Sequence, residues 1–186
     1  MNILKETGVL KEGHFILTSG KHSNQYMQMA QVLQYPQHTE TLCQQLVHPF
    51  NDQEIDVVIS PAVGGIVVGY ETARALGVKN IFCEREQGKM TLRRGFELHK
   101  GQKVLVVEDV VTTGGSVKEV IKVVEEAGAE VVGVGVLVDR SNGKIDFGYP
   151  FSALLSLGIE AYEVEACPIC KEGNIPAIKP GSRGLK

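Results

Sequence analysis

The segment with the clearest chemical potential is VLVVEDVVTTGGSV, residues 104 to 117. An apolar run ends there in two acids, Glu108 and Asp109, and the turn TTGGS (112–116) follows them and opens a helical pattern. Glycines allow the backbone amides of such a turn to point inward, and the N-terminus of a helix adds positive potential. The hydroxyls of the turn add further donors. The turn is therefore predicted to hold a phosphate group.

The position of the acids separates this segment from the common nucleotide motifs. The GxxxxGK[ST] pattern is missing, and in a dinucleotide fingerprint the acid lies about 20 residues beyond the glycines. Here the acids adjoin the turn, so the ligand should carry a phosphate close to a vicinal diol. Ribose 5-phosphate meets that description, with its phosphate in the turn and its 2- and 3-hydroxyls on the acids. The alternative is a helix N-cap with incidental acids at a strand end.

A second candidate element is Pro61-Ala62-Val63-Gly64-Gly65, which follows the apolar run DVVIS (56–60). Ligands in open α/β sheets bind beyond the carboxyl ends of the strands, so this turn should face the same crevice as the first. Its expected role is to approach a second phosphate through bare backbone. A tight strand-to-helix turn without a ligand is the alternative.

A third element is the basic segment EREQGKMTLRRG, residues 84–95. Its cations are Arg85, Lys89, Arg93 and Arg94, flanked by glycines in a chain of net charge -3. Such a segment is predicted to be a mobile lid that closes over a polyanion, with Arg85 and Lys89 nearest the strand end. A solvated hairpin is the alternative.

The elements that must position these residues alternate along the chain. Apolar runs at 56–60, 80–85, 103–109 and 131–139 predict strands, and the spacing at 65–76 and 116–128 predicts helices. In the second helix Val117, Val120, Ile121 and Val124 share one face, and Gly128 lies where a left-handed cap belongs. The pattern predicts an α/β fold: a central, mainly parallel, twisted sheet flanked by helices.

The two ends of the chain do not follow this rhythm. The piece HFILTSGKHSNQYMQM (14–29) has the pattern of a strand or hairpin. We expect a single domain, 1–186, with a core at about 36–150 and a small hood formed by 1–35 and 151–186.

Composition limits the possible functions. A chain of 186 residues that is 43% hydrophobic can bury one sizeable core, while its net charge of -3 offers no general basic field for nucleic acid. No apolar stretch approaches the roughly 18 residues that span a bilayer. We expect a soluble, cytoplasmic protein with no nucleic-acid or membrane partner.

The four cysteines are too few and too unevenly placed for a disulfide framework. Cys43 and Cys83 are predicted to be ordinary core residues. Cys167 and Cys170 form a CPIC element, which is either half of a zinc site or a redox pair. Structural zinc needs four ligands, and no second CxxC or neighbouring histidine in the sequence completes the set. The sequence alone therefore assigns no side chain to a metal.

Together these segments resemble the orotate phosphoribosyltransferases over the whole chain. VLVVEDVVTTGGS is similar to that family's version of the type I phosphoribosyltransferase signature. FILTSGKHSNQY (15–26) resembles its N-terminal substrate segment, in which Lys21 stands at the usual position of an arginine. VLVDR (136–140) resembles the strand whose terminal arginine meets orotate.

The resemblance implies the type I phosphoribosyltransferase fold and a set of site residues. Those implied to bind phosphoribosyl pyrophosphate are Glu108, Asp109, Val110, Val111, Thr112, Thr113, Gly114, Gly115 and Ser116, with Val63 and Gly64. Those implied to bind orotate are Thr112, Arg140, Tyr26 and Met27. Orotate is a carboxylate, which an arginine can pair bidentately. Arg140 as a surface cation beside Asp139 is the alternative.

The sequence departs from the family pattern at two places. Many members carry a Tyr-Lys pair where this chain has Val63-Gly64, and their lid carries a Lys-x-His pattern that is missing here. The segment 84–95 with the CPIC tail resembles a shorter-lid subgroup, in which Arg85 and Lys89 serve instead.

The implied reaction transfers the ribose 5-phosphate group of phosphoribosyl pyrophosphate to orotate, giving orotidine 5-phosphate and pyrophosphate for pyrimidine biosynthesis. The implied catalytic residues are Glu108, Asp109, Arg85 and Lys89, with Mg²⁺ as cofactor. The family also implies a homodimer whose lid reaches the neighbouring subunit's site.

Two rival functions fit parts of the pattern. A phosphoribosyltransferase for a purine or another pyrimidine would share the fold and the phosphate turn. A non-catalytic sensor of phosphoribosyl pyrophosphate would usually add a DNA-binding domain or a basic face, and this chain has neither.

Overall fold

A computed structural model describes residues 3, 6–17, 19–158 and 160–180 of the chain. These residues form two compact units. One contains the described residues up to 32 together with those from 158 onward, and the other contains residues 33–157.

The unit 33–157 is built on a six-stranded sheet. Its strands are β3 (Val57–Pro61), β4 (Lys79–Glu86), β5 (Lys89–Leu92), β6 (Lys103–Val111), β7 (Glu130–Asp139) and β8 (Phe151–Ser156). They lie in the order β5-β4-β3-β6-β7-β8, and only β5 runs antiparallel to its neighbour. The predicted α/β fold with a mainly parallel sheet is confirmed.

Helices cover both faces of this sheet, which is why the buried stretches of its central strands are apolar. The helices are α2 (Pro36–Val47), α3 (Gly64–Leu76) and α4 (Gly115–Glu126), with a 3₁₀ turn at His48–Phe50. Val57 and Ile59 share one core cluster with α4. On β7, a Cβ added to Gly135 would lie 3.3 Å from the Leu46 side chain of α2.

The predicted features of α4 are confirmed. Its buried residues are Val117, Val120, Ile121 and Val124, the apolar row found in the sequence. Gly128 has a φ of 73°, so it ends the helix in the left-handed conformation that glycine adopts without steric cost.

The other unit contains an antiparallel hairpin of β1 (Leu10–Ile16) and β2 (His22–Met27), which confirms the predicted strand or hairpin. The C-terminal residues carry a 3₁₀ turn at Val164–Ala166 and a short helix α5 (Pro168–Glu172). Two isolated bridges, Phe15 to Ile178 and His22 to Tyr162, join the hairpin to the C-terminal residues. The short helix α1 (Ala30–Leu33) follows the hairpin.

The predicted boundary of the hood at residue 151 is wrong. Residues 151–156 form β8, which pairs in parallel with β7 as the edge of the core sheet. All of its residues are at least partly exposed, so the segment lacks the continuous apolar run that marks a central strand. Among the described residues, no helix combines the length and apolarity that a membrane span requires.

Candidate functional site

The two acids of the sequence motif lie near the carboxyl end of β6, at Glu108 and Asp109. The turn 112–116 follows directly and leads into α4. Gly114 caps this helix with a φ of 73° and is buried. A Cβ at this position would lie 2.9 Å from the Phe147 ring, so both backbone conformation and space require glycine.

The residues predicted to hold a phosphate group line one open pocket. Glu108 and residues 110–117 form its wall. The N-terminus of α4 opens into this pocket, where unpaired backbone N–H groups and the helix dipole favour an anion. The structure therefore gathers the turn and one of the two acids around a common space, as expected for a phosphate close to hydroxyl groups.

The two carboxyl groups are close to each other, and each accepts a hydrogen bond from a different backbone N–H. The backbone N–H of Asp109 donates to Glu108 Oε1 at 3.0 Å, and the N–H of Val110 donates to Asp109 Oδ1 at 2.8 Å. Burial raises the pKa of Glu108, and the charge of Asp109 raises it further. Burial also raises the pKa of Asp109. The pair is therefore an electrostatically costly site that a positively charged or hydroxyl-donating ligand would stabilise.

The turn between β3 and α3 touches the same two carboxyl groups. A Cβ at Gly64 would collide with the Asp109 carboxylate, and one at Gly65 would lie 2.8 Å from Glu108 Oε1. The turn therefore lies against the two acids of β6, and its opening onto the same crevice as the first turn stays a prediction. Val63 precedes it after a cis peptide bond and is 81% exposed. The sequence places Gly65 in this turn but does not assign it a ligand contact, and its close approach to Glu108 is visible only in three dimensions.

The basic segment 84–95 is a tight hairpin of β4 and β5, turning at Gln87 and Gly88. Three of its cations are paired with carboxylates. Arg85 lies 2.6 Å from Glu119, Arg93 lies 3.3 Å from Glu86, and Arg94 lies 2.7 Å from Glu84. Lys89 has no carboxylate partner among the described side chains. The segment therefore has the hairpin structure that was the alternative to a mobile lid. Its closure over a ligand stays a prediction.

The residues predicted to bind orotate lie in both units. The backbone N–H of Arg140, which follows β7, donates to Val111 O at 2.8 Å, so Arg140 and Thr112 lie beside each other. Tyr26 and Met27 end β2 of the hairpin unit. Met27 is buried there, and the Tyr26 ring packs 5.6 Å from the Phe15 ring. Lys21, in the loop before β2, pairs with Glu163.

The cysteines separate into two kinds. Cys43 and Cys83 are fully buried core residues, as predicted. Cys167 and Cys170 lie with His14 and His22, and the ligand atoms of all four are within 4.8 Å of one another. The expectation that no histidine completes the CPIC element is therefore wrong. Spacing gave no sign of the cluster, because His14 and Cys167 are 153 positions apart in the sequence.

Comparisons with known proteins agree with the geometry. Residues 28–156 match the family model of the phosphoribosyl transferase domain. The chain is 60% identical over 185 residues to the orotate phosphoribosyltransferase of Desulforamulus reducens, covering 100% of this chain and 96% of that protein. It is 53% identical over 184 residues to the orotate phosphoribosyltransferase of Thermotoga maritima, covering 99% and 98%.

Solved structures give the same result. The orotate phosphoribosyltransferase from Aeropyrum pernix is similar with a TM-score of 0.71 at 25% identity, over 84% of this chain and 92% of that chain. An adenine phosphoribosyltransferase from Rhodothermus marinus, at 22% identity and a TM-score of 0.65, shares the fold. This chain belongs to the orotate phosphoribosyltransferase family and has the type I phosphoribosyltransferase fold.

Proposed function

We propose that this member of the orotate phosphoribosyltransferase family uses the pocket at the end of β6 to transfer ribose 5-phosphate from phosphoribosyl pyrophosphate to orotate. The reaction gives orotidine 5-phosphate and pyrophosphate, a step of pyrimidine biosynthesis. The observation that carries the site assignment is the meeting of three features at one place. These are the turn 112–116, the carboxyl pair of Glu108 and Asp109, and the glycine turn at Gly64.

The ribose 5-phosphate fits the first two features. Its phosphate accepts hydrogen bonds from the backbone N–H groups of 113–116 at the start of α4. Its 2- and 3-hydroxyls donate to Glu108 and Asp109, which are held at fixed positions by the backbone N–H groups of Asp109 and Val110. Hydroxyl donation also stabilises the ionised form of carboxyl groups whose pKa values burial has raised.

The pyrophosphate group is expected at the turn of Val63 and Gly64, where no side chain stands between the backbone and the carboxyl pair. The family is expected to use Mg²⁺, and the residues present fit it. Glu108 and Asp109 offer the hard oxygen ligands this ion prefers, and a cation would relieve their mutual repulsion. When bound, Mg²⁺ neutralises negative charge on the departing pyrophosphate.

The orotate is expected against Arg140 and Thr112. A guanidinium group can pair with a carboxylate through two parallel hydrogen bonds, which fixes both the position and the orientation of the base. The backbone N–H of Arg140 donates to the carbonyl oxygen of Val111, the residue just before the ribose phosphate turn. The Cα of Arg140 is therefore close to that turn. Contacts of Tyr26 and Met27 with the base stay predictions.

The chemical step needs little covalent help from the protein. A ring nitrogen of orotate forms a bond to the anomeric carbon while the bond from that carbon to pyrophosphate breaks, with inversion. Positive charge develops on the ribose ring, as in other glycosyl transfers. Glu108 and Asp109 stabilise that charge, and the pocket aligns the reacting atoms. Lys89, and Arg85 once it leaves Glu119, would neutralise the pyrophosphate.

A homodimer is part of the proposal and is supported by an exposed apolar row at α3. Val63, Val67 and Tyr70 are spaced for one helical face and are 81%, 41% and 61% exposed. Exposed apolar residues in a contiguous row are typical of protein contacts. Because the row begins beside Gly64, a second copy bound there would lie next to the pyrophosphate turn. The lid cations of that second copy could then neutralise the pyrophosphate.

The proposed function is tested by measuring pyrophosphate release from phosphoribosyl pyrophosphate with Mg²⁺. Orotate, uracil, xanthine, hypoxanthine and adenine are offered separately. We expect turnover with orotate alone. Turnover with a purine would be compatible with the role assigned to the phosphate turn but would contradict the role assigned to Arg140. Binding of the sugar phosphate without turnover of any base would indicate a sensor.

A further inference from the structure

Outside the proposed active site, four metal-ligating side chains meet in the hairpin unit. His14 lies on β1, His22 begins β2, Cys167 precedes α5 and Cys170 lies within α5. His14, His22 and Cys167 are 4%, 7% and 0% exposed, while Cys170 lies at the surface. The cluster therefore has a buried interior and one accessible side through which an ion could enter.

The distances within the cluster suit a tetrahedral ion. Bonds of about 2.3 Å to sulfur and 2.0–2.1 Å to nitrogen place the nitrogen and sulfur ligands of a tetrahedron roughly 3.5 Å apart. His14 Nε2 lies 3.6 Å from Cys167 Sγ and 3.5 Å from Cys170 Sγ, and His22 Nδ1 lies 3.2 Å from Cys170 Sγ. His14 Nε2 and His22 Nδ1 are 2.8 Å apart, about half an ångström closer than two nitrogen ligands of a tetrahedral zinc ion. A small rotation of either ring would increase this distance to the required value.

The orientation of His14 also favours metal binding. Its Nδ1 lies 2.9 Å from the carbonyl oxygen of Ile175 and donates to it, so the lone pair of Nε2 points into the cluster. Metal-bound histidines nearly always hold the second ring nitrogen on such a partner, which fixes both the tautomer and the ring orientation.

The backbone fixes the other ligands independently of the cluster. His22 and Tyr162 exchange two backbone hydrogen bonds of 2.8 Å, which hold the start of β2 against the C-terminal segment. The Cys-Pro-Ile-Cys spacing brings the two thiols onto one side of a single helical turn, with the Lys171 N–H donating to the Cys167 carbonyl at 3.3 Å. The ligands thus come from secondary structure that is held in place by other contacts.

We propose that His14 Nε2, His22 Nδ1, Cys167 Sγ and Cys170 Sγ bind one structural zinc ion. The set of two cysteines and two histidines is complete, so no position is open for catalysis. A redox pair would need only the two cysteines, and it would not account for two buried imidazole rings aimed at the same point. Both cysteines bind as thiolates, and each releases its proton to solvent when the ion is bound.

The ion would join residues far apart in the chain. His22 and Cys170 are 148 positions apart in the sequence, and His14 and Cys167 are 153 positions apart. Closing so long a loop removes many conformations from the unfolded chain. The zinc would thereby fix the hairpin of β1 and β2, which also carries Tyr26 and Met27.

The test is the metal content and cobalt binding of the full-length chain, purified under reducing conditions without chelator. We expect close to one zinc per chain by elemental analysis. After the zinc is removed and replaced with Co²⁺, we expect one ion per chain and the intense visible absorption of tetrahedral cobalt with thiolate ligands. Less than about a tenth of an equivalent of zinc, together with no uptake of Co²⁺, would overturn the proposal.

Variants assign the ligands. Cys167→Ser/Cys170→Ser should lose the ion, whereas the control Cys43→Ala/Cys83→Ala removes the same number of thiols and should keep it. Cys170→His should retain binding, because histidine remains a zinc ligand and the position is exposed. An unchanged metal content in the Cys167→Ser/Cys170→Ser variant would exclude this site. These readouts do not depend on enzymatic activity, so they stand or fall separately from the proposed function.

Discussion

The backbone N–H of Arg140 donates a hydrogen bond of 2.8 Å to the carbonyl oxygen of Val111. This bond continues the pairing of β6 with β7 by one residue beyond the strands, where Val111 is paired with Asp139. It sets the predicted carboxylate-binding arginine beside Thr112, the first residue of the phosphate turn. Two segments separated in sequence are thereby aligned so that one can hold the base while the other holds the sugar.

We expect Arg140→Ala to lower kcat/KM for orotate by roughly 30-fold, because a lost charge-assisted hydrogen bond costs about 2 kcal/mol. Arg140→Lys should recover part of this loss, since it keeps the charge but not the bidentate geometry. The dissociation constant for phosphoribosyl pyrophosphate should change little, which ligand titration can check. Unaltered orotate kinetics in Arg140→Ala would remove this residue from the base site.

A second expected outcome concerns Gly64, where a Cβ would collide with the Asp109 carboxylate. Gly64→Ala should displace that carboxylate and weaken binding of phosphoribosyl pyrophosphate about tenfold, as overpacking costs roughly 1–3 kcal/mol. Isothermal titration measures the affinity, and thermal unfolding reports whether the fold is intact.

The matched control is a double-mutant cycle with Asp109→Ala. If the effect of Gly64→Ala acts through the carboxylate, the substitution should add little once Asp109 has been shortened. Additive losses in the cycle would mean instead that the methyl group blocks the ligand directly.

Features that depend on residues close together in the sequence could be predicted, whereas contacts between distant residues could not. Continuous apolar runs predicted β3, β6 and β7, and the glycine turn after Asp109 predicted the phosphate pocket, because both signals are local. β8 was missed because an edge strand with every residue partly exposed has no such run. The cluster of His14 with Cys167 was missed because only the folded chain brings those residues together.

The pH dependence of stability should reveal the carboxyl pair. Burial raises the pKa of Glu108 above its ordinary value of 4.5, so the folded state binds this proton more tightly than the unfolded state. Stability is therefore lost as pH rises from the unfolded pKa through the raised folded pKa. Without ligand, Glu108→Gln should increase the free energy of unfolding by about 1 kcal/mol at high pH and by less near pH 4.5.

The same variant should lose activity by roughly two orders of magnitude, because it removes the charge that we propose stabilises the developing positive ribose. Denaturant unfolding at several pH values gives the stability, and single-turnover kinetics give the rate. The control is Glu126→Gln, an exposed carboxylate on α4, for which neither quantity should change appreciably. A gain in stability that is independent of pH would show that charge burial is not its cause.

The hairpin of β4 and β5 offers a test of the lid. Lys89→Ala should raise KM for phosphoribosyl pyrophosphate about tenfold, because Lys89 lacks a carboxylate partner among the described residues and is proposed to contact the pyrophosphate. Arg93→Ala is the control, since Arg93 is paired with Glu86 and exposed. Equal effects of the two substitutions would indicate a general field effect of positive charge rather than a contact.

The exposed apolar row of Val63, Val67 and Tyr70 predicts that a charge introduced there would prevent dimer formation. Tyr70 is 61% exposed on the same helical face as Val67, so Tyr70→Glu should place a charge in the proposed subunit contact and convert dimers into monomers. Sedimentation velocity measures the change, with Lys118→Glu on α4 as a charge-altering control. If the lid acts across subunits, the monomeric variant should also lose turnover at low protein concentration and recover part of it as concentration rises. A variant that is monomeric and fully active would place the whole site within one chain, whereas an unchanged dimer would locate the contact elsewhere.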